Sequence, residues 1–217
     1  MSATRIGRRR LLAGLAGGSL LLASPALLAE LLATPAQTLG PFYPDRLPLD
    51  RDNDLLIVGD QPGAASGSVV QLHGQILDSR GQPLRGALVE IWQVDAHGIY
   101  LHSRGGDRAR RDANFQGYGR FETASDGRYR FRTIRPVPYP GRTPHIHFAV
   151  TLPGQPRFAT QCYIRGEPLN QRDGVLNAIR DPRARERLIV SFVPLAGSAV
   201  DEQVARFDIV LGLTPAS

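Results

Sequence analysis

Two histidines, His145 and His147, stand one residue apart in "RTPHIHFAV", and Tyr139 lies six residues before the first of them in "VPYPGRTP". In an extended strand successive side chains alternate faces, so both imidazoles project to one side while Ile146, Phe148 and Val150 project to the other. Two imidazoles placed this way can reach one metal ion. The spacing alone is a weak signal: with five histidines in 217 residues, an H-x-H arises by chance in roughly one such sequence in ten. The competing reading is two ordinary polar residues on a strand.

Two phenols bear on that choice. Tyr139 sits between Pro138 and Pro140, whose rings restrict the loop, and Tyr100 closes the turn "AHGIY". Either alone reads equally as a hydrophobic plug with a polar tip. Together they would change which metal is suitable, because a phenol ionises near about pH 10 in water and a trivalent cation lowers that value by its charge. Zinc would more often draw a third histidine, a carboxylate or a cysteine. A ferrous facial triad needs a carboxylate, and isoleucine stands between the two histidines. If a metal binds here, two phenols with two imidazoles point to ferric iron.

The elements that must position these residues are short strands. "SVVQLHGQILD", "ALVEIWQVD", "GRYRFRTI", "HIHFAVTL", "FATQCYIR", "LIVSFVPL" and "RFDIVLGL" each carry strand-type apolar patterning. The 23 glycines and 17 prolines fall mostly between these runs, as tight turns require. The expected fold is an all-β, β-sandwich-like core with long loops and little helix. "QTLGPFYPDRLPLDRDNDLL" reads as an extended arm held by Phe42 and Tyr43. Leu101 to Glu122 reads as a polar surface loop, and Glu167 to Arg187 as a polar stretch of weak helical character. Cys162, the single cysteine, reads as a small buried apolar residue, so no internal disulfide is available to the fold.

Composition excludes some partners. All 26 basic residues are arginine and the net charge is +6, but Arg5, Arg8, Arg9 and Arg10 supply four of these charges within the first ten residues. The +2 left over is not the basic surface of a nucleic-acid-binding protein. Those arginines precede an apolar stretch from Leu11 interrupted by Gly14, Gly17 and Gly18, with small residues near Ala29 and Ala36. This is the three-part layout of an export signal over residues 1–36, of twin-arginine type, leaving one domain over 37–217 in the periplasm or outside the cell. The alternative is an uncleaved anchor, since Leu11 to Ala29 is just long enough to span a bilayer as a helix. Pro25 and the internal glycines weigh against a permanent helix. After cleavage no stable membrane span is expected.

Taken together, "GPFYP", "LVEIWQVDAHGIY", "GRYRFRTIRPVPYP", "RTPHIHFAV" and "TQCYI" resemble the intradiol ring-cleavage dioxygenases, of the catechol and protocatechuate 3,4-dioxygenase type, from about Thr34 to Ile164. The resemblance implies a sandwich core of transthyretin-like topology around one mononuclear non-haem ferric ion. It implies Tyr100, Tyr139, His145 and His147 as the metal ligands, Arg142 as an active-site arginine and Gln161 as an active-site glutamine. It also implies a small catecholic substrate and O2. On that reading a catechol displaces the Tyr139 phenolate, which takes up a phenolic proton, and Arg142 stabilises charge on the ring. The ring opens between its two hydroxylated carbons to a muconate-type diacid, with no nicotinamide or flavin. The loop from Tyr139 to His145 is short, and Gly141 stands where some members carry a large aromatic, which makes Gly141 a pocket residue to watch. Tyr43 and Trp92 are further pocket candidates, with arm anchor and core residue as their respective alternatives.

Two rival functions fit parts of the sequence. "GQILDSRGQPLRGALVEIWQVDAHGIYLH" also looks like a transthyretin-like or carboxypeptidase-regulatory binding module, which needs neither Tyr139, His145 and His147 together nor Arg142 beside them. An inactive homologue that binds iron or aromatics is the other. A homo-oligomer is compatible with each of these readings.

Overall fold

The computed structural model describes residues 31–59 and 63–212; most of the segment expected to be an export signal therefore lies outside the described residues. Among the described residues, ten strands form two sheets. In the first, β1 (Val69–Leu77) pairs antiparallel with β4 (Arg128–Ile134) along one side. Its other side is filled in succession by β9 (Gln203–Arg206) and β10 (Ile209–Val210), both parallel to it, and β8 (Phe192–Pro194) adds to β9. The second sheet runs β3 (Tyr118–Glu122), β2 (Leu88–Trp92), β5 (His145–Thr151), β6 (Phe158–Ile164), β7 (Ile189–Val190).

Apolar side chains from both sheets meet in one core that includes Val70, Leu72, Phe131, Ile91, Ile146 and Phe148. The all-β, sandwich-like expectation holds. Cys162 is free and fully buried in the same core.

Three expectations need correction. The stretch Leu101–Glu122 is not a solvated loop throughout: its last five residues are β3, and His102, Phe115, Gln116 and Tyr118 are buried. It pairs with β2 in the register Trp92↔Tyr118 and Leu88↔Glu122, which brings an aromatic from a glycine-rich run beside the site. "LIVSFVPL" is two strands in different sheets, because the chain leaves β6 after Val190 and joins β9 at Phe192. "RFDIVLGL" also breaks: the Asp208 carboxylate accepts the Gln75 amide at 3.0 Å, taking a place in the ladder that a backbone carbonyl would have filled. Between β6 and β7 lie a 3-10 turn, Pro168–Arg172, and two short helices, α1 (Gly174–Asn177) and α2 (Pro182–Glu186), as the weak helical character there suggested.

Residues 31–37 are tied to the body. The Thr34 amide donates to the Val210 carbonyl at 2.9 Å, and the Val210 amide returns a bond to Thr34 Oγ1 at 2.9 Å. The Gln37 amide donates to the Ala159 carbonyl at 2.8 Å.

Candidate metal centre and its relatives

β5 lies between β2 and β6, one of its faces is in the apolar core, and the other is enclosed as well, since every residue from His145 to Val150 is buried. That second face carries His145 and His147. Register sets their neighbours: His147 faces Trp92 on one side and Gln161 on the other, and His145 faces Tyr163. Cross-strand partners share a face, and the Trp92 indole lies on the His147 ring at 4.8 Å and 9°.

Tyr100 comes from a turn built by Asp95. This fully buried carboxylate accepts the His97 and Ile99 amides through Oδ1, each at 2.9 Å, and the Asp112 amide through Oδ2 at 2.7 Å. The Tyr100 amide then donates to the Gly105 carbonyl at 3.1 Å, and a side chain at Gly105 would collide with Tyr100 Cβ at 2.6 Å. Tyr139 comes from a different turn. In Tyr139-Pro140-Gly141-Arg142 the Arg142 amide donates to the Tyr139 carbonyl at 2.9 Å, and Gly141 has φ +78°. Proline second and glycine third with positive φ is the type II pattern. It sets Tyr139 and Arg142 at the two ends of one turn, and it explains glycine at 141.

Three donor atoms converge. Nε2 of His145 and Nε2 of His147 are 3.1 Å apart, and Tyr100 Oη is 3.0 Å from the second and 3.5 Å from the first. Metal bonds to imidazole nitrogen run about 2.0–2.1 Å, so neighbouring ligands on one ion sit roughly 2.9–3.5 Å apart. The spacing fits a single cation held by all three. The Tyr139 ring packs at 5.3 Å from Tyr100 and 5.6 Å from His145, with its hydroxyl 3.4 Å from Arg142 Nη1.

The protonation states also suit a cation. Burial, then the Arg142 charge, pulls His145 down to about 4. Burial, then His145, then Arg142, holds His147 well below its ordinary value. Both rings are neutral at pH 7. His145 Nδ1 is 2.6 Å from the Thr143 carbonyl, so that nitrogen carries the proton and Nε2 turns a lone pair inward. His147 Nδ1 is buried without a partner among the described residues. Tyr100 is pushed well above the usual phenol range by burial and then by Tyr139, the position of a group that ionises only when a cation supplies compensating charge. No cluster of three or more His, Cys, Asp or Glu occurs among the described residues, so a metal held here would draw its anionic donors from phenols.

Arg142 is clamped. Its Nε donates to Asp173 Oδ2 at 2.8 Å and its Nη2 to Gln161 Oε1 at 2.6 Å, with Tyr163 Oη at 3.4 Å. Burial alone would make the guanidinium easier to deprotonate, but the Asp173 hydrogen bond and charge outweigh it and raise its pKa. Asp173 was not singled out from the sequence. Fully shielded at its side chain, it also accepts the Thr143 amide at 3.0 Å and caps α1 through the Val175 and Leu176 amides. Gln161 donates to the Thr38 carbonyl at 3.3 Å, and Tyr163 reaches both Gln161 and Gln37.

Behind Trp92 stands a second group that the sequence did not reveal as such. Glu90 Oε1 accepts Tyr43 Oη at 2.7 Å and Tyr118 Oη at 2.6 Å, and its Oε2 accepts Arg157 at 2.6 Å. Tyr43 meets Trp92 edge-on at 5.0 Å and carries the Arg157 guanidinium over its ring at 4.4 Å. Tyr43 thus ties the arm down, and Trp92, 1% exposed, backs His147. Gly141 instead opens on a cavity of about 230 Å³ that Tyr139 and Arg142 also line.

A family model described as Dioxygenase matches residues 38–212. The chain belongs to the intradiol ring-cleavage dioxygenases. This dioxygenase is 38% identical over 186 residues to the protocatechuate 3,4-dioxygenase beta chain of Burkholderia cepacia, covering 81% of this chain and 74% of that one. It is 30% identical over 201 residues to the hydroxyquinol 1,2-dioxygenase of Nocardioides simplex, covering 82% and 64%. The chain therefore spans just under two thirds of that enzyme's length. Among solved structures it is similar to the dioxygenase domain of a dioxygenase carbohydrate-binding protein fusion from Streptomyces sp. SirexAA-E, with TM-score 0.63, 31% identity and 84% and 99% coverage. Catechol 1,2-dioxygenase from Acinetobacter sp. ADP1 matches with TM-score 0.64, 27% identity and 83% and 63% coverage. The family places the chain among oxidoreductases that use O2 on catechol-type rings.

Proposed function

We propose that this chain binds one ferric ion through Tyr100, Tyr139, His145 and His147 and cleaves a catechol with O2. The observation that carries this is the convergence of Tyr100 Oη, His145 Nε2 and His147 Nε2 at 3.0–3.5 Å, with both imidazoles uncharged. The ion, when bound, supplies the Lewis acidity that lowers phenol pKa values and makes the bound catecholate reactive toward O2. In the overall change the bond between the two hydroxylated carbons breaks, both atoms of O2 enter the product, and each carbon leaves as a carboxyl group.

The chain's own residues divide the remaining work. His145 and His147 stay neutral and point their lone pairs inward. Tyr139 is the half-buried donor of the set, on a turn at the cavity wall, and is the ligand that gives way to substrate and takes up a phenolic proton. Arg142, kept charged by Asp173 and aimed by Gln161, faces the Tyr139 hydroxyl and the negative charge that develops beside it.

We further propose that residues 1–36 contain the export signal, that the body acts outside the cytoplasm, and that its partners are a small catechol and O2 rather than nucleic acid. No helix among the described residues is long and apolar enough to cross a membrane. The Leu31 and Thr34 amides are hydrogen-bonded to the body, which favours cleavage near Ala29 over Ala36.

The test combines metal analysis, visible absorption and oxygen uptake. Purified protein is expected to hold close to one iron per chain, to show a phenolate-to-iron absorption band, and to consume O2 with catechol, protocatechuate or hydroxyquinol. Tyr100→Phe should bleach the band and lower iron retention. Unchanged colour in that variant would remove Tyr100 from the ligand set. Full iron with no uptake on any of the three catechols would favour the inactive-homologue or transthyretin-like binding reading instead.

A further inference from the structure

The cavity beside Tyr139 differs chemically from its surroundings. Pro138, Tyr139, Gly141, Arg142, Leu169 and Arg172 are among its lining residues. Its volume of about 230 Å³ is below the roughly 300–1,000 Å³ of pockets for drug-sized ligands, and suits a single ring with a short substituent. The wall at Gly141 is open, since nothing lies within 4 Å of where a Cβ would stand. Pro138 and Leu169 supply apolar surface for a ring face.

Two guanidinium groups line this space and only one is neutralised. Arg142 is spent on Asp173, Gln161, Tyr163 and Tyr139. Arg172 makes no ion pair or hydrogen bond to any described residue through its side chain, and the one carboxylate in the cavity wall, Asp173, is already bonded to Arg142 and to the Thr143, Val175 and Leu176 amides. The Arg172 side chain is exposed, but the backbone that carries it is fixed. Arg172 closes the turn Pro168–Arg172 and immediately precedes Asp173, so the same carboxylate that fixes Arg142 fixes the backbone from which Arg172 projects.

We infer that Arg172 is a specificity residue, which recognises an anionic substituent, a carboxylate, on the ring of the catechol cleaved at the adjacent site. This rests on the catechol-cleaving reading above. A planar guanidinium with no internal partner binds carboxylate through paired hydrogen bonds. The apolar walls hold the ring, and the uncompensated charge at the rim selects the acid over neutral analogues.

The experiment uses the full-length iron-loaded protein with 3,4-dihydroxybenzoate, its methyl ester and unsubstituted catechol. Wild type should prefer the acid to the ester, read as the ratio of kcat/KM values. Arg172→Gln should reduce that ratio at least tenfold, chiefly through KM, while Arg172→Lys should keep part of it and Arg172→Glu should reverse it. An acid-to-ester ratio that is the same in wild type and Arg172→Gln overturns the inference while leaving ring cleavage standing. If none of the three is cleaved, the catalytic reading fails and calorimetric binding of 3,4-dihydroxybenzoate decides the inference separately. Binding weakened at least tenfold by Arg172→Gln upholds it, and absent or unchanged binding overturns it.

Discussion

The two sheets solve opposite problems. β4 of the first sheet alternates in the ordinary way, with Arg128 and Arg130 exposed and Tyr129 and Phe131 buried. β5 of the second is buried from His145 to Val150 on both faces, and one of those faces is polar. The first sheet spends its buried surface on stability. The second encloses imidazoles, an indole, a glutamine and a carboxylate, and two of their atoms, His147 Nδ1 and Trp92 Nε1, are buried without a hydrogen-bond partner among the described residues. Buried polar groups of this kind cost stability unless paired, so the second sheet depends on the first to stay folded and is free to hold a reactive arrangement.

The comparison breaks if damage to the two sheets has the same consequences. The largest expected effect is on His147→Ala: iron content should fall to background and oxygen uptake below detection, while urea unfolding of the iron-free protein shifts by no more than about 1–2 kcal/mol, since a poorly satisfied polar group is removed. Phe131→Ala should do the reverse, costing about 3–5 kcal/mol by cavity formation with normal iron per folded molecule.

Asp173→Asn comes next. It leaves Arg142 without its carboxylate partner, and kcat/KM should drop roughly 10–100-fold, as when the supports of a metal site are removed, with iron still bound. Stability should also fall by about 3 kcal/mol. Burial works to raise the Asp173 pKa, but hydrogen bonds from Arg142, Leu176 and Thr143 and the Arg142 charge bring it below the ordinary 3.8. Its folded pKa being the lower, its contribution is present above about pH 3.8 and is lost as pH falls through the folded value. Acid unfolding curves of wild type and Asp173→Asn should therefore converge below that point.

Glu90→Gln should cost about 1–3 kcal/mol, because an amide cannot accept from Tyr43, Tyr118 and Arg157 together. Denaturant unfolding reads it directly. Arg130→Gln, on the exposed face of β4, should stay within about 0.5 kcal/mol with unchanged oxygen uptake, and a large effect there would show the first sheet to be more than scaffold.

The parts of this arrangement legible in the sequence were those governed by local rules. Period two set His145 and His147 on one face, and proline and glycine marked the Tyr139–Arg142 turn. Tyr100 and Tyr139 became site residues only through the family resemblance, since a lone tyrosine carries no local mark of its role. Asp173 was illegible because its partners, Arg142 and Thr143, lie about 30 residues upstream across a polar stretch. β3 was missed because its strand character comes from pairing with β2 rather than from its own glycine- and arginine-rich residues. Glu90 read as one polar residue in a strand until the arm, β3 and Arg157 were brought to it.

The pairing of β1 with β9 and β10 has a kinetic consequence. The edge of β1 away from β4 is met by residues 203–211, and Thr34 is held by Val210. Contacts of that sequence separation form late and slowly. A chain ending before Gln203 would leave that edge of β1 unpaired and should aggregate rather than fold to a smaller domain.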